Sequence, residues 1–199
     1  LKQFTLMVTA IGLFLFLISC FIYHDTPARI WSSILINNVY FLGIALCAVV
    51  FIAIHRLANA GWYSLIQRIP EAFISFLPVS GLIFVILLFG TGSLFHWMHI
   101  DPSDSILQGK SAWLNLPFFS IRTFIYIGGW IILALWLKKI SLNEDLTGDI
   151  VNYKHSKTIS AIFLVFFAVT ISIFSWDWIM SIEPHWYSTI FGWYFFSGL

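Results

Sequence analysis

Charge is scarce in this sequence. Only 10% of its 199 residues are charged, against about 25% in an ordinary soluble domain. That excludes a soluble domain, and a hydrophobic fraction of 60% points to a lipid environment. Ten lysines and arginines against nine acids leave a formal charge of +1. Nucleic-acid binding needs a clustered basic face, and none is visible. Cysteine is nearly absent too. Cys20 and Cys47 both lie inside apolar runs, with no CxxC and no CxxCH spacing. A disulfide framework, an iron–sulfur ligand set and a covalent haem site are therefore excluded, and both residues read as small buried apolar side chains. Strand-like alternation is missing as well. A membrane barrel needs alternating segments of about ten residues, whereas the apolar runs here are twice as long. Helices satisfy their own backbone in lipid, and they are the remaining choice.

What the sequence does hold is a series of such runs. Crossing a bilayer takes about 20 mostly apolar residues in a helix. The runs predict spans at about residues 4–23, 31–54, 71–95, 117–137 and 158–180, with a sixth over 187–199. The expected fold is an all-α polytopic membrane protein with about six spans, a single transmembrane helical domain over residues 1–199. Asn37 and Asn38 lie in the second span. Pro78 should kink the third, and Pro117 suits the first turn of the fourth. The chain opens LKQFTLM, without an initiator methionine, and stops inside the apolar stretch IFGWYFFSGL. We expect it to be an internal piece of a longer protein. No small-residue cleavage site follows the first run, which reads as a membrane helix and not as a signal.

Lysine and arginine in short loops set orientation. Lys2, Arg56, Arg68, Lys138, Lys139, Lys154 and Lys157 fall on one side, and Arg29, Lys110 and Arg122 on the other. The richer side is expected to be cytoplasmic. It holds the N-terminal end and the loops 55–70 and 138–157. Loops 96–116 and 181–186 then lie outside.

The polar residues sort by depth. His24, His96, His99 and His185 fall at outer helix ends or outer loops, and His55 and His155 at inner ends. His96 and His99 are three apart in FHWMHID, so on a helix they would share a face, with Asp101 nearby. A metal site usually needs three or four suitable ligands, and two histidines plus one remote acid fall short. An interfacial polar cluster, a proton or quinone-side role, and a metal site all remain open for them. Seven tryptophans, Trp31, Trp97, Trp113, Trp176, Trp178, Trp186 and Trp193, gather near the outer face, where aromatic belts form.

The stretch SWDWIMSIEPHW, residues 175–186, places Asp177 in the last turn of the fifth span. A carboxylate there opposes the helix dipole, and an acid at membrane depth is a functional hypothesis by default. It could pair with Arg122, which enters the fourth span from the same side, lie on a proton path, or contact a quinone. Glu183 and His185 flank Pro184 in the outer turn. Glu71 opens the third span on the inner side, three residues after Arg68, a spacing that permits a local ion pair. Proton uptake or release is its functional alternative.

Two stretches carry a resemblance. FHWMHIDPSDSILQGKSAWLNLPFFSIRTFIYIGGW, residues 95–130, and SWDWIMSIEPHWYSTIFGWYFFSG, residues 175–198, resemble the large membrane subunits of bacterial alternative complex III. Those subunits are related to the NrfD and polysulfide-reductase membrane anchors. The wording DWIMSIEPHWYSTIFG is closest to the second of them, the ActF type; the related ActC type has a similar motif. The two stretches cover about sixty residues.

The resemblance implies an NrfD-like protein of transmembrane four-helix bundles, in a bacterial inner membrane. It implies a complex that oxidises quinol and passes electrons through iron–sulfur clusters and c-type haem to cytochrome c or a terminal oxidase. Those cofactors sit in partner subunits, with none in this chain. Partners would be the iron–sulfur and c-haem subunits, a paralogous ActC-like membrane subunit and a terminal oxidase. By motif match, Asp177, Glu183, His185, His96, His99 and Arg122 carry over as polar sites, and Glu71 joins them from its own position. No residue is assigned as catalytic. The expected function is a non-redox subunit that scaffolds the cofactor-bearing chains and conducts protons through Asp177 and Glu71. The alternatives are the quinol-binding subunit itself, with a periplasmic-side quinol site, and a stand-alone transporter.

Overall fold

The structure is a computed structural model that describes residues 2–99, 104–148 and 150–199. Every regular element among them is helical. In chain order they are α1 (Lys2–Ile22), α2 (Pro27–Leu57), α3 (Arg68–Ile74), α4 (Leu77–Phe89), α5 (Thr91–Leu94), α6 (Ser105–Lys110), α7 (Leu116–Thr147), α8 (Ile150–Trp178) and α9 (Thr189–Gly198). Short 3₁₀ turns cover Gly61–Leu65, His96–Met98 and Met180–Ile182.

Among the described residues, five helical stretches are long and apolar enough to cross a membrane: Lys2–Ile22, Pro27–Leu57, Arg68–Phe89, Leu116–Thr147 and Ile150–Ile182. This is the architecture of a polytopic membrane protein. At the place of the expected sixth span stands α9, only 10 residues long.

The predicted third span is interrupted. Pro78 has no N–H to give the carbonyl of Ile74, and its ring crowds that turn. The α-helix stops at Ile74, and tighter bonds from the Ser75 and Phe76 N–H to the carbonyls of Ala72 and Phe73 bridge the gap. Helix α4 then restarts at Leu77, with Pro78 in its first turn. Most of the stretch read as the inner loop 138–157 is instead helical, with α7 running to Thr147 and α8 starting at Ile150. Its Lys, Leu, Asn, Glu and Asp residues include several good helix formers. Helix α7 ends where Gly148 adopts φ 61°, its N–H bonded to the Glu144 carbonyl at 2.8 Å. A left-handed residue just past a helix end is the usual glycine stop.

Helices α2, α4, α7 and α8 close a ring, with α2 against α4, α4 against α7, α7 against α8 and α8 against α2. Their shared core is aromatic. Phe84, Phe119, Tyr126, Trp130, Phe163, Phe174 and Trp178 are each at most 1% exposed. Trp178 sits at its centre, with ring centroids 4.8 Å from Phe84 and 5.0 Å from Phe119. Lipid tails are as apolar as these side chains, so packing and hydrogen bonds, more than escape from water, hold such a bundle together. Trp97 and Trp178, read above as belt anchors, lie inside this core. Trp186 and Trp193 are exposed, as anchors should be. Helix α1 has no buried residue.

Candidate functional site

Polar groups collect at both ends of the bundle. At the outer end, Asn115 caps α7 by accepting from the Phe118 N–H at 3.0 Å. Arg122 follows two turns later and points inward. Asp177, in the last turn of α8, is fully buried. The Arg122 Nε donates to Asp177 Oδ2 and Nη2 donates to Oδ1, each at 2.8 Å. A two-pronged guanidinium–carboxylate contact is among the strongest hydrogen-bonded arrangements. The Trp113 Nε1 adds a third bond to Oδ1 at 3.1 Å, and Arg122 Nη1 donates to the Trp113 carbonyl at 3.1 Å. The guanidinium also lies over the Trp113 and Phe118 rings, at 4.0 and 4.3 Å. The carboxylate that α8's own dipole disfavours is thus held by a cation from α7. Of the roles open to Asp177, the geometry provides the structural pair.

A polar ladder runs inward from there. Trp178 Nε1 donates to Thr123 Oγ1 at 3.1 Å, Thr123 shares a hydrogen with the Tyr126 hydroxyl at 2.9 Å, and Trp130 Nε1 donates to Thr170 Oγ1 at 2.9 Å. These bonds stitch α7 to α8 through the aromatic core. None of these groups was singled out from sequence as bonded; Trp178 was read only as part of the outer aromatic belt.

Above the pair lies a second, exposed cluster. Asp104 caps α6, its Oδ1 accepting from the Ile106 and Leu107 N–H groups. Its other oxygen lies 2.7 Å from His185 Nε2, and Glu183 Oε1 lies 3.3 Å from His185 Nδ1. The Asp104 carboxylate raises the His185 pKa, and the cap bonds lower that of Asp104. Lys110 bonds the Pro184 carbonyl at 2.5 Å. The turn 183–187 is therefore strapped to α6. Between the buried pair and this strap sits a cavity of about 270 Å³, lined by Trp113, Trp176, Met180, Pro184, Trp186 and Tyr187 among others.

His96 and His99 do not share a helix face. The chain there is a 3₁₀ turn, His96–Met98, with His99 just beyond it. His96 Nδ1 is 3.5 Å from the Ile182 carbonyl, and both rings are exposed. Asp101 lies outside the described residues. Among the described residues no group of three or more His, Cys, Asp or Glu side chains is placed to hold a metal ion.

Glu71 is at the other end, 3% exposed. It accepts from Gln67 Nε2 at 2.7 Å and pairs with Arg68, the partner that its spacing suggested. Arg68 also pairs with Asp145 of α7, and Gln67 reaches Ser141 Oγ. Beside them Arg56, 4% exposed, faces Glu144 at 2.7 Å. Sequence reading used Arg56 only for orientation and missed Glu144 and Asp145, because these pairs join helix ends far apart in the chain.

Neither a comparison with protein-family models nor one with curated proteins finds a match for this chain.

Proposed function

We propose that this chain is an integral membrane subunit of a quinol-oxidising respiratory complex of the alternative complex III type. It carries no redox cofactor of its own and serves as a scaffold for the iron–sulfur and c-haem subunits. On this reading the protein is NrfD-like and lies in a bacterial inner membrane. The Arg56–Arg68 end faces the cytoplasm, and the Asp177–Arg122 end faces the periplasm and the cofactor-bearing partners, an ActC-like paralogue among its neighbours. The observation that carries the reading is that the two motif stretches, 95–130 and 175–198, meet at one end of the bundle. The Arg122–Asp177 pair and the Asp104–His185 contact each join one stretch to the other. A shared surface built from both motifs is what a docking face for partner subunits requires. Glu71 is the acid left for proton handling at the opposite end, and Asp177 acts first as a tether.

A second reading has its own observation. The cavity of about 270 Å³ at the outer end is aromatic and lies against the Trp113–Asp177–Arg122 group. Pockets with an aromatic lining and a few convergent polar groups suit a small ring-bearing ligand such as a quinol.

The test is purification of the tagged full-length protein in mild detergent, with co-purifying chains identified and the absorption spectrum recorded. Partners bearing c-type haem and iron–sulfur clusters support the complex. A lone colourless protein overturns it and favours the transporter. A quinone photoaffinity label landing on Trp113 or Trp186 would move the assignment to the quinol-binding subunit.

A further inference from the structure

Two asparagines stand side by side in the apolar part of α2, with apolar residues continuing on either side of them. The apolar run opens at Trp31. At 1.5 Å per residue, Asn37 lies about 9 Å deeper than that level. Polar side chains at such depth turn toward protein or a wet cavity, because lipid tails cannot bond them.

Neighbours on a helix of 3.6 residues per turn point in different directions, and the two asparagines meet different surroundings. Asn38 is 3% exposed and donates from Nδ2 to the Ser80 carbonyl of α4 at 3.2 Å. It ties two helices of the ring together. Asn37 is exposed. Its Nδ2 donates to the Ser33 carbonyl, one turn back on its own helix, at 2.8 Å. Its second N–H and its Oδ1 have no partner among the described residues.

Asn37 borders a groove of about 360 Å³ between α1, α2 and α4. Ser33, Phe41 and Phe76 line it as well, and Phe16 bounds it on the α1 side. Phe41 is 50% and Phe16 40% exposed, so the groove opens toward the membrane. The Ser33 hydroxyl already donates to the Arg29 carbonyl at 2.9 Å. Helix α1 leaves the groove uncovered, since none of its residues is buried.

Two features narrow the occupant. Acyl chains suit the phenylalanines but give Asn37 neither a donor nor an acceptor. A neighbouring helix with an amide or hydroxyl at the same depth gives both, and such bonds are the usual polar contacts between spanning helices. A helix is about 10 Å across, too wide to enter this space whole. It can lie along the mouth and send side chains in, as ridges enter grooves.

We propose that this groove docks a membrane-spanning helix of another chain, one that presents an Asn, Gln, Ser or Thr side chain to Asn37. The Asn37 Oδ1 accepts from that side chain, and the free N–H donates to it. Asn37 thus does toward a partner what Asn38 does within the ring. The proposal stands whether or not the partner belongs to a respiratory complex.

Photo-crosslinking of the full-length protein in intact membranes tests it. The photoreactive residue p-benzoylphenylalanine replaces Phe16 or Phe41 in the groove, or Val165, 70% exposed on α8, as a control. Crosslinked peptides are sequenced by mass spectrometry. Both groove positions should join one apolar, helix-length segment of another chain that contains Asn, Gln, Ser or Thr, and position 165 should not. Asn37→Leu should lower that yield about three- to tenfold, the worth of one interhelical hydrogen bond in lipid. Asn37 bonds only its own helix, so this variant keeps the bundle. Capture of lipid or quinone without protein overturns the docking site. So does a yield that Asn37→Leu leaves unchanged. A crosslink within the chain, or a product of twice its mass, gives the groove to α1 itself or to a second copy and overturns the partner helix.

Discussion

Arg122 and Asp177 hold each other by two hydrogen bonds of 2.8 Å, though 55 positions separate them. Asp177 is fully buried and Arg122 is 7% exposed. Removing one partner strands the other's charge, at a cost of about 3–5 kcal/mol, whereas replacing both with apolar groups of similar volume is often neutral. Asp177→Leu and Arg122→Met should each lower the stability of the detergent-solubilised protein by that amount. The double variant should recover most of it. A double variant no better than the worse single one would show that the pair does more than neutralise charge.

The strap at the outer turn should respond to pH. The His185 pKa is raised in the fold, so its contribution is complete below the ordinary histidine value of about 6.5 and fades as pH rises through the folded value. The Asp104 pKa is lowered, so its contribution is complete above the ordinary carboxylate value of about 3.9 and fades as pH falls through the folded value. The turn 183–187 is therefore held most firmly between roughly pH 4 and 6.5. Hydrogen exchange of that turn should quicken as pH is raised from 6 to 8, after correction for the intrinsic rate. His185→Ala should remove the corrected change; a corrected rate that rises equally in both proteins would discard the strap.

Asn59 is the only non-glycine residue with positive φ among those described, at 53°. Its side chain accepts from the Tyr153 hydroxyl at 2.9 Å and from Lys157 at 2.8 Å, tying the end of α2 to α8. Asn59→Gly loses the tie but tolerates the backbone; Asn59→Ala loses the tie and strains it. The alanine variant should be less stable than the glycine variant by about 1 kcal/mol, read from thermal unfolding of the two. Equal stabilities would mean that the backbone relaxes freely.

Gly90 closes α4 against the ring of Trp31. A Cβ built there would lie 2.2 Å from a ring carbon. An indole cannot yield as a flexible chain end does, and overpacking of this kind typically costs about 1–3 kcal/mol. Gly90→Ala should destabilise by that amount, and Gly90→Ala with Trp31→Leu should restore part of it. Gly128→Ala, with open space around its Cβ position, is the control.

Much of this molecule could be read before it was folded. Long apolar runs can only be helices in lipid, and the breaks between the runs marked the five long spans to within a few residues at several ends. The disturbance at Pro78 follows from local chemistry alone; the caps at Asn115 and Gly148 were not read from sequence. Arg68 and Glu71 were legible as a pair because three residues on one helix are neighbours.

The rest was decided by tertiary structure. A spanning helix is apolar on the side facing its neighbours and on the side facing lipid, so its sequence does not say which side is which. That is why Trp97 and Trp178 read as membrane anchors and proved to be core, and why the Thr123–Trp178 and Thr170–Trp130 bonds were invisible. It is also why Asp104, Glu144 and Asp145 went unnoticed, and why Arg56 was read for orientation alone. Each acquires its partner from a distant stretch of chain, and only the closed ring of α2, α4, α7 and α8 brings those stretches together. Sequence determined that Asp177 would be costly at its depth and named Arg122 as one candidate partner; the fold decided that the pair forms.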